Sequence, residues 1–231
     1  MSMMTLGAEL PPVMDPRQNA DALVPTVAFA IVGICTFAVY IMMLRLEIKE
    51  KVPAIPVLAV CANVAWEITY AFIYPIYPQM RITLYFWLPL NLVILYLAVR
   101  SGRRDFPSLS GRGYAWTIAG WSLFALTFMP LATREFDDEL GVYTTVFVVV
   151  FMEAMFIKML LTRGSTAGQT MYIAILKMVV DVSGGIGLII FYPDRWLLHQ
   201  MIVAEVILDL TYIVLLHRRF RAEGVSPWRK I

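Results

Sequence analysis

The sequence predicts an all-α integral membrane protein of seven transmembrane helices, with the N-terminus outside and the C-terminus cytoplasmic. Composition is the first reason. Of 231 residues, 60% are hydrophobic and 16% charged, and the mean hydropathy is +0.71. A soluble domain needs more polar surface than that. The second reason is periodic segmentation. Seven apolar runs, at about 25–45, 53–75, 82–99, 114–132, 141–160, 170–192 and 198–217, each approach the ~20 residues of a spanning helix. The third is charge placement. After the first, third, fifth and seventh runs stand Arg45, Lys49 and Lys51; Arg100, Arg103, Arg104 and Arg112; Lys158 and Arg163; and Arg218, Arg219, Arg221, Arg229 and Lys230. The other flanks hold only Arg17, Arg81, Arg134 and Arg195. Lys and Arg concentrate on the cytoplasmic side of multi-pass proteins, which sets the orientation.

Residues 1–24 read as a polar N-terminal tail with Pro11, Pro12 and Pro16. They lack a basic segment followed by an apolar core, so no cleavable signal peptide is expected. The seven-helix domain covers 25–217, and 218–231 form a basic cytoplasmic tail. Pro53, Pro75, Pro78, Pro107, Gly111, Gly113, Gly164 and Pro193 mark the joints. Pro78-Gln79 is expected in a loop. With no water in hydrocarbon to satisfy open backbone, helices are the natural form for every run. Cys35 and Cys61 lie inside apolar runs, where neither a structural disulfide nor a metal site is expected.

Short internal matches suggest a 3+1+3 repeat. The second run ends Phe72-Ile-Tyr-Pro75 and the sixth ends Ile190-Phe-Tyr-Pro193. Leu90-Asn-Leu precedes Arg100 by the spacing that separates Leu208-Asp-Leu from Arg218. Runs one to three and five to seven then read as parallel repeats about a central fourth helix.

The chemistry is carried by ionisable groups inside the runs: Glu67, Glu153, Lys177, Asp181, Glu205 and Asp209. An acid at bilayer depth costs roughly 2.5–3.5 kcal/mol on insertion scales, so each one needs a reason to be there. Lys177 and Asp181 stand one helical turn apart and suit an ion pair, for which a purely structural role is the simpler reading. Glu205 and Asp209 share the same spacing. Two carboxyls that close in a low dielectric cannot both ionise. Counting from Pro75 and from His199, Glu67 and Asp209 both fall roughly 12–16 Å below the outer interface at about 1.5 Å per residue. They are therefore expected to face a common cavity. Asn63, Trp66, Tyr70 and Tyr74 recur at helical spacing around Glu67, and Tyr212 lies one turn beyond Asp209. Tyr77, Tyr85, Trp87, Trp116 and Trp196 read as packing or interface aromatics. A carboxyl with aromatic walls in an apolar chamber suits carbocation chemistry: the acid delivers a proton and the rings shelter the cation.

The stretch Asn63-Val-Ala-Trp-Glu67 with Tyr70 and Phe72-Ile-Tyr-Pro75, together with Glu205-x-x-x-Asp209-x-x-Tyr212, resembles the small seven-helix integral-membrane terpene cyclases of pyripyropene- and paxilline-type meroterpenoid and indole-terpenoid pathways and their bacterial relatives. The resemblance spans most of the chain. It implies an atypical class II cyclisation, started by protonating an epoxide or a terminal alkene without loss of diphosphate. It maps two essential acids onto Glu67 and Asp209. From their own placement, Asn63, Trp66, Tyr70, Tyr74, Asp181, Glu205 and Tyr212 are expected to support them by lining the site or orienting the acids. The resemblance implies no cofactor or metal, a prenylated small-molecule substrate, a place in the cell membrane or endomembrane, and functional links to a prenyltransferase and an epoxidase. Nucleic acid is not an expected partner. Asp137-Asp-Glu-Leu-Gly141 lacks the second acid of an aspartate-rich Mg²⁺ motif and reads as a solvated charge cluster. Two other readings compete. A small proton-coupled transporter would also use a 3+1+3 repeat and buried acids. A retinal protein would want a lysine within the last helix, and Lys177 lies in the sixth.

Overall fold

The computed structural model describes residues 23–76 and 78–230. Expectations for the N-terminal tail up to residue 22 and for Tyr77 lie outside them. Among the described residues there are seven α-helices: α1 (Leu23–Glu50), α2 (Val57–Ile68), α3 (Pro78–Ser101), α4 (Gly111–Glu135), α5 (Val142–Arg163), α6 (Met171–Phe191) and α7 (Trp196–Ala222). A π-turn, Thr69–Ile73, continues α2, and a short 3₁₀ turn, Gly102–Asp105, follows α3. Six helices are long and apolar enough to cross a bilayer. The exception is α2, which reaches 17 residues only with its π-turn (Val57–Ile73). Pro53 and Pro56 on one side and Pro75 on the other confine it. Pro78 opens α3 rather than lying in a loop, as proline's fixed φ permits at a first helical turn. The helix α7 runs on to Ala222, so Arg218, Arg219 and Arg221 are helical.

Helix ends follow local chemistry. The Ser110 hydroxyl accepts the Gly113 N–H at 3.1 Å, and the Thr170 hydroxyl accepts the Ile173 N–H at 3.2 Å. Both satisfy amides that a helix start leaves open. Asp138, expected in solvent, is buried. Its carboxylate accepts the amides of Val142, Tyr143 and Thr144 at the start of α5 and the Thr144 hydroxyl. Burial raises the Asp138 carboxyl above the usual range, and those hydrogen bonds pull it back. Its neighbours Asp137 and Glu139 are exposed.

Six helices close a ring in the order α1, α3, α2, α5, α7, α6, with α6 returning to α1, and α4 packs outside against α2. Exchanging α1, α2, α3 with α5, α6, α7 leaves these pairings unchanged, which is the pattern parallel repeats produce. The register agrees. One sequence offset relates Pro75 to Pro193, the start of α3 at Pro78 to that of α7 at Trp196, Asn63 to Asp181 and Asn91 to Asp209. The fourth helix, central in sequence, is peripheral in space.

Loops gather at two ends, here termed lower and upper. At the lower end the Arg163 guanidinium bridges Asp105 at 2.6 Å and donates to the Pro53 and Ala167 carbonyls. Lys230 reaches Glu50, and the Thr166 hydroxyl donates to Glu223. The basic flanks counted from sequence lie here. At the upper end the Tyr70 hydroxyl meets the Thr133 and Thr144 hydroxyls at 2.6 and 2.7 Å and donates to the Asp138 carbonyl. Its ring covers Gly141, whose φ is +69° and where an added Cβ would fall 2.8 Å from a ring carbon. This pin ties the π-turn to α4 and α5.

Gly141→Ala is therefore expected to cost about 1–3 kcal/mol from backbone strain and to lower the melting temperature in detergent. The control is Gly120→Ala on α4, where a Cβ meets nothing within 4 Å. It should leave the melting temperature unchanged or raise it, and equal losses in both variants would sink the pin.

Candidate active site

Inside the ring lies a cavity of about 670 Å³, within the ~300–1,000 Å³ usual for small-molecule sites. Its walls come from α1, α2, α3, α5 and α6, and most are apolar or aromatic, with Phe29, Tyr40, Trp66, Trp87 and Phe191 supplying rings. The charged side chains that line it are Glu67, Lys177 and Asp181. Phe29 and Phe191 stack at 5.8 Å near the upper end, and Tyr40 and Trp87 meet edge to face at 6.2 Å.

Glu67 sits one residue before the end of the regular part of α2, just ahead of the π-turn. Such turns recur at functional positions because they re-aim side chains. Its Oε1 accepts the Asn91 amide at 2.7 Å and the Tyr40 hydroxyl at 3.4 Å. The Tyr40 oxygen in turn accepts N–H groups from Asn63 at 2.9 Å and Asn91 at 2.8 Å. Glu67 Oε2 has no hydrogen-bond partner among the described residues. One oxygen is thus held by donors while the other is left available beside the chamber.

Across the ring, α6 presents a second polar node. The Lys177 ammonium contacts the Glu153 carboxylate, lies 3.7 Å from Asp181 Oδ2 and 4.0 Å from Asp209 Oδ1, and sits 4.9 Å from the centre of the Phe156 ring. The Asp181 carboxyl abuts those of Glu205 and Asp209. Oxygens of Glu153, Asp181 and Asp209 lie within 4.8 Å of one another, a spacing that could serve a cation. The ammonium of Lys177 is the cation among them.

The residues singled out from sequence divide accordingly. Glu67, Asn63, Trp66 and Asp181 border the cavity. Asp209 and Glu205 are buried behind it in the α6–α7 node. Tyr70 serves the upper pin, with its ring 5.0 Å from that of Trp66. Tyr74 packs against the core. Tyr212 is buried and donates to Gln169 at 3.0 Å, with its ring against Phe156. Lys177, paired with Asp181 in the sequence reading, has Glu153 as its nearest acid. Two participants were missed, Tyr40 and Asn91. Each offers a polar group in the middle of an apolar run, and that was the available signal.

The profile of Pyr4-like transmembrane terpene cyclases matches residues 14–221. Terpene cyclase adrI of Penicillium rubens is 26% identical over 228 residues, covering 90% of each chain. Terpene cyclase pyr4 of Aspergillus fumigatus is 24% identical, covering 83% of this chain and 85% of its own. Terpene cyclase dpfgB of Gibberella zeae reaches 35% identity over a shorter stretch, 29% of this chain and 28% of its own. No solved structure matches. A profile spanning nearly the whole chain, set on six membrane-length helices around a lined chamber, decides between enzyme and transporter: the chain belongs to the Pyr4-like transmembrane terpene cyclases, multi-pass membrane enzymes that cyclise terpenoids.

Proposed function

We propose that this enzyme is a class II cyclase that starts by protonating the terminal alkene or epoxide of the isoprenoid chain of a prenylated, meroterpenoid- or indole-type substrate. No diphosphate is ionised. The observation that carries this reading is the half-anchored Glu67 carboxyl on an apolar, ring-lined wall. Donors from Asn91 and Tyr40 favour Oε1 as the carbonyl oxygen, which leaves the hydroxyl on Oε2, the unpartnered oxygen of a side chain that borders the chamber. The same donors stabilise the carboxylate once the proton has gone. Trp66, Trp87, Phe29 and Phe191 supply π-faces for the cation. The chamber keeps water from intercepting it.

Asp209 acts from behind the wall. Four carboxyls and one ammonium share a node built from α5, α6 and α7. Charge compensation in a low dielectric requires that such a group share protons. Asp209 helps hold Lys177 and Asp181 in place and completes that arrangement. The basic lower end is assigned to the cytoplasm under the positive-inside rule. The lipophilic substrate enters from the bilayer, supplied by a prenyltransferase and, for the epoxide form, an epoxidase.

The test uses microsomes or detergent-solubilised protein and a farnesyl-substituted aromatic, offered with a terminal alkene or a terminal epoxide. Products are read by mass spectrometry and NMR. Glu67→Gln should reduce cyclisation by roughly 10²–10⁴-fold, the range general acids supply, while the protein still inserts and folds. Retained turnover in that variant refutes the assignment. Tyr40→Phe and Asn91→Leu should each slow turnover about 10-fold, equivalent to about 1.4 kcal/mol, because the carboxyl loses a donor that fixes its orientation. Rates equal to wild type would show that the donors are dispensable. Asp209→Asn should cut kcat strongly with KM little changed, since Asp209 does not border the chamber. A rise in KM alone would contradict its placement behind the wall.

A further inference from the structure

Cyclisation begun by adding a proton has to end by removing one, and the chamber holds a second acid placed for that step. We propose that Asp181 is the terminating base. The inference rests on the acid-initiated reading above and assigns the opposite wall.

Two walls of the chamber are counterparts. Under the offset that superposes α2 and α3 on α6 and α7, Asp181 takes the place of Asn63, and Asp209 that of Asn91. On the α2 side neutral donors surround one carboxyl, an arrangement fitted to hold an acid and steady it after proton loss. On the α6 side the same positions carry carboxyls around one ammonium. In the ring, α2 and α6 stand three places apart, so the two nodes face the cavity from opposite sides. Among the four acids of the node, Glu153, Asp181, Glu205 and Asp209, Asp181 is the one that borders the chamber. Its residue is only 7% exposed, and its Oδ2 has no hydrogen-bond partner among the described residues. Lys177 is 3.7 Å away, beyond hydrogen-bond reach, and its charge is directed to Glu153. The Asp181 carboxyl thus stands at the wall of the chamber with one oxygen that no donor occupies.

The step balances. Glu67 gives its proton to the terminal alkene carbon, or to the epoxide oxygen as a C–O bond breaks, and leaves a cation. Each ring closes as an alkene π pair forms a C–C bond and moves the positive charge along the chain. At the last cation, a neighbouring C–H bond breaks. Its electron pair becomes the product double bond, and its proton goes to the Asp181 carboxylate. Glu67 ends as carboxylate and Asp181 as acid, with no net gain or loss of protons.

The experiment compares wild type, Asp181→Asn and Asp181→Glu on the two farnesylated aromatic probes, scoring substrate consumed and products formed. Asp181→Asn should still consume substrate, because initiation belongs to Glu67. Its products should shift from the wild-type alkene toward double-bond isomers and the water-captured alcohol, changing that ratio about tenfold or more. Asp181→Glu keeps the carboxyl but moves it by one methylene, and should restore proton removal with altered double-bond position. An unchanged product ratio in Asp181→Asn overturns the proposal and leaves the acid-initiated reading intact. Loss of all consumption in both folded variants also overturns it, since Asp181 would then act before ring closure. Cyclisation that survives Glu67→Gln would instead overturn the reading and this inference together.

Discussion

The hydrogen bond from Asn91 to Glu67 is the contact on which the site depends. It joins α3 to α2 through a buried amide and a buried carboxyl. An unmet carboxyl there would cost several kcal/mol, so the bundle is organised to meet one oxygen and leave the other. Tyr40 from α1 completes the group, which places three helices of one triplet around a single acid. Ring closure then follows from packing. With α2 confined by prolines and largely buried, the longer helices wrap it, and the space they cannot fill becomes the chamber.

The second triplet shows how one scaffold can carry two chemistries. Its backbone register repeats the first, yet Asp181 and Asp209 stand where the first has Asn63 and Asn91, and Lys177 stands where it has Ala59. A buried ammonium is tolerable only beside counter-ions; Glu153 is in contact with it, and Asp181 and Asp209 lie 3.7 and 4.0 Å away. The node is polar enough to serve protons and compact enough to stay folded in an apolar setting. The lower loops, locked by Arg163 between Asp105 and the Pro53 carbonyl, keep the two triplets in register.

Much of this was legible in the sequence, and the reasons are physical. Run length and breakers located all seven helices, because a bilayer-length apolar run has few alternatives. Charge placement identified which loops share an end. Glu67 stood out because an acid amid hydrocarbon has to be explained. Depth, however, is one coordinate, and it could not say which face of α7 Asp209 occupies; that depends on how α7 packs on α5 and α6. Tyr70 looked like part of a functional wall because it lies one turn from Trp66. The π-turn that begins at Thr69 makes it instead a pin to α4 and α5. Asp138 looked solvated because its neighbours are charged, yet the start of α5 needs an acceptor and draws it inward.

Lys177 borders the chamber beside Asp181, 3.7 Å from its Oδ2, and this gives the chamber a polarity. In an acid-initiated cyclisation, positive charge moving through the substrate toward α6 would meet an attractive carboxylate with a repelling ammonium beside it, and would be held at that wall. The enzyme would then work as a gauge as well as an initiator: the span between its two walls, more than the reach of the prenyl tail, would fix how many rings close before the reaction halts.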